Sequence, residues 1–303
     1  MRTATIRVPV ATLWSSPDRV RPLDKPAFHG DVRGWVGAMT LDEREDLGGR
    51  TESQLLLGEP VLVDSVDGDF ARVIAIRQSA PRKDPRGYPG WVNAEHLDYA
   101  DRLPENEPTH VVAVAHTSIV DRPHGLIVHA DVVLGTEITV AGPPVDGYLP
   151  LAPVDHAGVS GGYVPAASVV VRPTRPPSGA ELLATATQML GTPYVWGGLS
   201  PFGIDCSGLV HLTSRRLGVA VPRNADDQAD ASTPLEFGDE RAGDVYFFQR
   251  PRRRVHHVGF VAAAPDPDGT RHMLHACGTS RGVVREPMTP DRVDTLVGVH
   301  RLG

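Results

Sequence analysis

The sequence predicts an α+β protein: two copies of one small β-barrel, followed by a domain whose helices come first and whose strands come after. Two observations carry this reading. Segments of the opening stretch reappear, degenerate but in order, in the stretch after it, as two tandem copies of one unit would. Beyond Ser178 the pattern runs through two helical segments and then into alternating apolar strands, an order that argues against a doubly wound sheet.

Residues 1–104 read as the first β-rich domain. The short runs Thr5–Val10, Pro60–Val66 and Ala71–Ile76 are broken by Gly, Pro and Asp, and helical periodicity is absent apart from a possible turn at Leu41–Asp46. Residues 105–172 echo it. Leu57–Val63 (LGEPVLV) returns as Leu134–Val140 (LGTEITV), Val66–Gly68 as Val145–Gly147, and Gly90–Leu97 (GWVNAEHL) as Gly162–Val169 (GYVPAASV). The first copy is lengthened by Gln78–Tyr88, which holds several charges and two prolines. An extended, Pro- and Arg-rich linker, Arg172–Pro177, leads to the third domain, 178–303.

In that domain Ser178 and Glu181 form a capping box for a helix through Leu190, which Gly191 ends. A second helix opens at Cys206, places Leu209, Val210, Leu212 and Leu217 on one face, and stops at Gly218, which suits a left-handed cap. After Pro222 the pattern changes to strands. Val245–Phe248 follows a Gly-Asp turn, and Val255–Ala263, Arg271–Ala276 and Leu296–Arg301 complete an antiparallel set.

Hydrolysis by a thiol needs a nucleophile, a base within reach, a group that orients the base, and donors for the oxyanion. At the start of a helix, Cys206 would sit among unpaired N–H groups that lower its pKa, although a single Cys in a Gly-rich loop also reads as a buried small hydrophobe. In the apolar strand VHHVGFV, His257 is the candidate base, and His256 alternates to the opposite face. The surrounding motifs decide between these readings. P-Y-V-W-G-G (Pro193–Gly198), D-C-S-G (Asp205–Gly208), P-R-N (Pro222–Asn224), H-V-G-F (His257–Phe260) and M-L-H-A (Met273–Ala276) stand in one register. In that order and spacing the chain resembles the NlpC/p60 family of bacterial cell-wall cysteine peptidases over about its last 125 residues.

The resemblance implies a papain-like domain with Cys206 as nucleophile, His257 as base and His275 as the group that fixes the imidazole tautomer. It implies that Tyr194 lies near the thiol and that Trp196 walls the pocket. Asp205 could cap the helix, face the substrate's α-amine, or both, and Ser207 could bind substrate or only satisfy the helix start. No metal or cofactor is implied. Ala225 stands where the family often has Ser or Thr, and Cys277, read as a buried thiol, where a Ser is frequent. The two barrels resemble bacterial SH3-like domains, and that combination resembles the γ-D-glutamyl-L-diamino acid endopeptidases. In that subgroup the first barrel borders the cleft, which would bring Glu52 (in TESQLL) and Tyr88 (in GYPGWV) beside Asp205, around the ammonium of a muropeptide beginning with L-Ala. A wall-targeted hydrolase acting on intact murein, or an acyltransferase using the same Cys-His site, is the alternative.

Composition narrows the rest. A net charge of -7, with no basic run beyond Arg250–Arg254, gives no sign of nucleic-acid binding. Two cysteines do not make a disulfide framework, and no apolar run is long enough to span a membrane. The N-terminus lacks the features of a signal peptide, so the expected compartment is the cytoplasm, with the murein-derived peptide as the expected partner. A secreted protein shorn of its signal would read the same. A zinc site from His272, His275 and Cys277 is disfavoured, because alternate strand residues splay to opposite faces.

Overall fold

A computed structural model describes residues 2–103, 107–152 and 161–302. Strands β1 (Arg2–Ile6) and β2 (Val10–Trp14) open the first module. The run Thr5–Val10, expected as one strand, instead straddles the turn between them. Three short helices follow: α1 (Lys25–Phe28), α2 (Val32–Ala38) and α3 (Leu41–Glu45). Of these the sequence suggested only a turn at the third. Each is too short to show periodicity, yet each of the last two has a cap: Asp31 accepts from Gly34 N–H, and Thr40 with Glu43 forms a capping box. The chain then returns through β3 (Thr51–Leu56), β4 (Pro60–Asp67), β5 (Phe70–Ala75), β6 (Tyr88–Asn93) and β7 (Leu97–Ala100). The seven strands form one sheet in the order β3-β2-β6-β5-β4-β1-β7. Leu55 of one edge strand and Leu97 of the other share a core, so the sheet is curled around it.

The second module comprises β8 (His110–Val112), β9 (His116–Val120), β10 (Ile127–Val133), β11 (Glu137–Ile138), β12 (Tyr148–Pro150), β13 (Tyr163–Pro165) and β14 (Val169–Val171), in sheets of four and three strands. The repeated segments fold alike. Gly58 and Gly135 turn with φ of 77° and 81°, and β6 and β13 each pass through one 3₁₀ turn into the next strand. The boundary expected at 104/105 lies outside the described residues.

In the third module α4 (Gly179–Thr187) starts at the expected Ser178–Glu181 capping box, and turns carry the chain from its end to Gly191. The hairpin β15 (Leu199–Ser200) and β16 (Gly203–Ile204) leads into α5 (Cys206–Arg216), and Gly218 follows it at a φ of 78°. Strands were expected directly after Pro222, but α6 (Ala225–Ala231) intervenes, a short polar helix whose Ala-Asp-Asp-Gln composition carries no apolar stripe. Strands β17 (Thr233–Leu235), β18 (Val245–Gln249), β19 (Val255–Val261), β20 (His272–Cys277) and β21 (Gly282–Pro287), helix α7 (Pro290–Val293) and strand β22 (Leu296–Arg301) complete it, with sheet order β17-β22-β18-β19-β20-β21. Alternation along β18 sends Val245 and Phe247 into one core and Tyr246 and Phe248 into another.

The first of those cores belongs to no single module. Trp14, Trp35, Val36 and Leu56 pack in it with Val133 and Leu134 and with Leu209, Leu212, Phe247 and Phe260. At its edge the buried Arg215 of α5 donates to Glu59 Oε2 (2.8 Å) and to Gly135 O (3.0 Å), joining all three modules. Among the described residues no helix is long and apolar enough to cross a membrane.

Candidate active site

Asp205 starts α5 in the way its position suggests: Oδ1 accepts from Gly208 N–H at 2.6 Å. That fixes the helix start, and with it Cys206, which is buried at 7% exposure. Asp205 does not stand free to meet a substrate. Arg223 donates to both of its oxygens (2.9 Å each), Gly197 N–H donates to Oδ2 (2.9 Å), and Ser207 Oγ to Oδ1 (3.3 Å). The expected role of this carboxylate as an ammonium ligand therefore meets oxygens already saturated by internal donors. Ser207 is likewise tied down, accepting from Arg223 at 3.0 Å.

The thiol departs from expectation. Burial, and then the Asp205 carboxylate, push the Cys206 pKa up to about 12, against the N–H groups of Val258 and Ser207 and the charge of Arg223, which favour the thiolate. A helix start lowers a thiol pKa when solvent reaches it; at Cys206 desolvation opposes that effect.

His257 projects from β19 into the buried face, while His256 is exposed on the other, as strand alternation requires. His257 Nε2 lies 2.7 Å from His275 Nδ1, and His275 Nε2 lies 3.0 Å from Glu286 Oε1. Sheet register explains the row. Val284 is opposite His275 across β20–β21, so Glu286, two residues on, shares its face on the diagonal. Gly259 allows the close approach of the two histidines, since a Cβ there would lie 2.8 Å from His275 Cβ. The carboxylate can only accept, which puts the His275 proton on Nε2 and leaves Nδ1 to accept from His257 Nε2–H. His257 then presents a bare Nδ1, the nitrogen a base needs. Burial lowers the pKa of both imidazoles, that of His257 well below its ordinary value, with Arg292 adding to the effect.

Tyr194 lies close enough to Cys206 for the two to influence each other's ionisation, and burial raises its pKa, so its phenol is a donor at any ordinary pH. Trp196 is 48% exposed, at the surface of the PYVWGG segment. This segment is pinned to the first module: Thr51 Oγ1 donates to Trp196 O (2.6 Å), and Leu199 N–H donates to Gln54 Oε1 (2.8 Å). Glu52 lies between these two anchors, and Tyr88 of β6 meets it. The Tyr88 hydroxyl donates to Glu52 Oε2 (2.9 Å) and lies 3.2 Å from Asn224 Oδ1. Burial, then Glu52, raise the Tyr88 pKa, and Asp205 and Arg223 are near enough to act on it too. Lys83 is ion-paired with Glu52.

Arg223, Glu286, Gln54 and Lys83 were missed as site residues. Arg223 stood in a motif already noted, P-R-N, but its partner Asp205 lies 18 residues away in the chain, so only the motif itself could have flagged it. Nothing in the sequence singles out the other three. His272, His275 and Cys277 do not converge, for they are engaged by Asp266, by His257 with Glu286, and by Arg292 respectively.

A family model described as NlpC/P60 family matches residues 191–299. The gamma-D-glutamyl-L-lysine dipeptidyl-peptidase of Bacillus subtilis is 31% identical over 290 residues, covering 92% of this chain and 91% of that protein. Its namesake from Bacillus cereus is 30% identical over 311 residues, covering 98% and 90%. A crystal structure of an NlpC/P60 family protein from Bacillus cereus superposes with a TM-score of 0.86 at 28% identity, over 99% of both chains.

Proposed function

The chain belongs to the NlpC/P60 family of cysteine peptidases, and from that premise we propose that it hydrolyses the bond between γ-D-glutamate and a diamino acid in murein-derived peptides with a free N-terminal L-Ala. The relatives' name supports the bond. The observation that supports the amine requirement is the Glu52–Tyr88 pair of the first module, which reaches Asn224 of the third through the Tyr88 hydroxyl. A carboxylate that accepts a hydrogen bond from a phenol, with that phenol's ring face close by, suits an ammonium.

Cys206 and His257 begin as a neutral pair. As the sulfur attacks the γ-carbonyl carbon, His257 Nδ1 takes the thiol proton, and Tyr194 donates toward the developing oxyanion. His275 and Glu286 hold the resulting imidazolium through Nε2. The tetrahedral intermediate collapses, His257 gives the proton to the departing α-amine of the diamino acid, and a thioester remains. Water, deprotonated by the same nitrogen, cleaves it to the dipeptide L-Ala-γ-D-Glu. The three modules enter as the domains 1–104, 105–172 and 178–303, and the first of them sets the length of peptide admitted.

Kinetics on L-Ala-γ-D-Glu-L-Lys and its diaminopimelate counterpart, each with and without an N-acetyl group, test the proposal. Acetylation removes the charge that Glu52 would meet and is expected to cost about 2–5 kcal/mol of transition-state binding. Equal kcat/KM for free and acetylated peptides would overturn the amine requirement and favour a hydrolase of intact wall.

A further inference from the structure

We infer that Lys83 is a built-in competitor for the ammonium subsite: in the free enzyme its side chain fills the place that the substrate's amine must take. The inference rests on the reading that Glu52 and Tyr88 receive that amine. Lys83 Nζ pairs with Glu52 Oε2, the oxygen to which Tyr88 donates, and lies 4.9 Å from the centre of the Tyr88 ring. A carboxylate and an aromatic face are what an ammonium seeks, and the chain supplies its own. Asp205 offers no second berth, since its oxygens are held by Arg223, Gly197, Ser207 and Gly208.

The lysine is delivered by design of the loop between β5 and β6. Arg223 N–H donates to Ser79 O at 2.9 Å, and Arg82 pairs with Asp226, Asp227 and Asp230 of α6. Lys83 N–H closes the turn onto Ala80 O at 2.8 Å. The backbone is thus clamped to the catalytic module while the side chain, 35% exposed and on a flexible stem, stays free to swing into solvent. A half-exposed ion pair of this kind is weak, so the plug is reversible. An entering amine binds only the fraction of molecules whose lysine has left, and apparent affinity falls by that fraction.

Calorimetric titration of intact L-Ala-γ-D-Glu-L-Lys into the Cys206→Ala enzyme, alone and combined with Lys83→Met or Lys83→Arg, tests this. Lys83→Met should tighten binding by about two- to five-fold, the reach of a partly exposed ion pair, and Lys83→Arg, which keeps a cation, should restore the original affinity. The N-acetyl peptide should gain nothing from either change. An unchanged Kd for Lys83→Met overturns the inference alone. Weaker binding does so too, and would make Lys83 a ligand for a substrate carboxylate. If the Cys206→Ala enzyme binds free and acetylated peptides equally well, the ammonium subsite itself is refuted, and this inference falls with it.

Discussion

Replacing Arg223 by Met should be among the most destabilising single changes at this site. The guanidinium is 1% exposed and makes five hydrogen bonds: two to Asp205, and one each to Ser207 Oγ, Ser53 Oγ and Gly198 O. Methionine fills similar volume without charge, so packing is largely kept and the loss is electrostatic. Asp205 would be left as a buried carboxylate with only its two backbone donors and a serine, and breaking a buried pair in this way costs about 3–5 kcal/mol. Asp205→Asn alone keeps the helix cap, since the amide oxygen can still accept from Gly208, but strands the arginine. Removing both partners should cost less than the sum of the single changes, by about 2 kcal/mol or more, because neither leaves an uncompensated charge. Urea unfolding of wild type, both single variants and the double gives the cycle. A loss under about 1 kcal/mol for Arg223→Met, or strict additivity, would refute the claim that this pair anchors the helix start.

Cys206→Ala and His257→Ala should each abolish turnover, and His275→Ala and Glu286→Gln should do less, since water can replace an orienting group in part; a panel of steady-state rates in which His256→Ala is worse than His257→Ala would reverse the face assignment. With the thiol pKa raised to about 12, alkylation of Cys206 by iodoacetamide should be slow near neutrality and climb steadily with pH; a plateau between pH 5 and 8 would mean a resting thiolate–imidazolium pair. Stability should fall as the medium is acidified from neutrality. Burial holds His211 at about 3 and His96 at about 4, so between those values and about 6.5 the unfolded chain binds the extra protons. Their contribution is complete above about 6.5 and lost on the way down, about 2 kcal/mol for each by pH 5, which denaturant midpoints at pH 7 and 5 would register.

The parts of this molecule that were legible in its sequence are those written in local chemistry. The Ser178–Glu181 capping box, the Asp205 cap and the glycines at 191 and 218 announced α4 and α5 because short-range hydrogen bonds and backbone freedom are local properties. Strand alternation separated His257 from His256 for the same reason. The helices α1, α2 and α6 were not legible and α3 showed only as a turn, each spanning too few turns to set up a period. Long-range partners were hidden altogether. Glu286 meets His275 only through the register of β20 and β21, and Arg82 finds α6 across 145 residues of chain. The burial of the thiol was hidden too, because it is a tertiary quantity that acts against the helix terminus, a local one.

The joint at Arg215 constrains how such a protein can be taken apart. Its guanidinium is met by a side chain of the first module and a carbonyl of the second, beside a core to which all three modules contribute. Cutting the chain in the linker would not release a ready-made catalytic piece. It would strip Trp14, Trp35, Leu56 and Leu134 from Leu209 and Leu212, and leave a cation facing hydrocarbon and water where an acidic socket had been. The repeats are therefore poor candidates for the beads-on-a-string exchange by which detachable binding modules spread among enzymes, and the whole should come undone in one cooperative step.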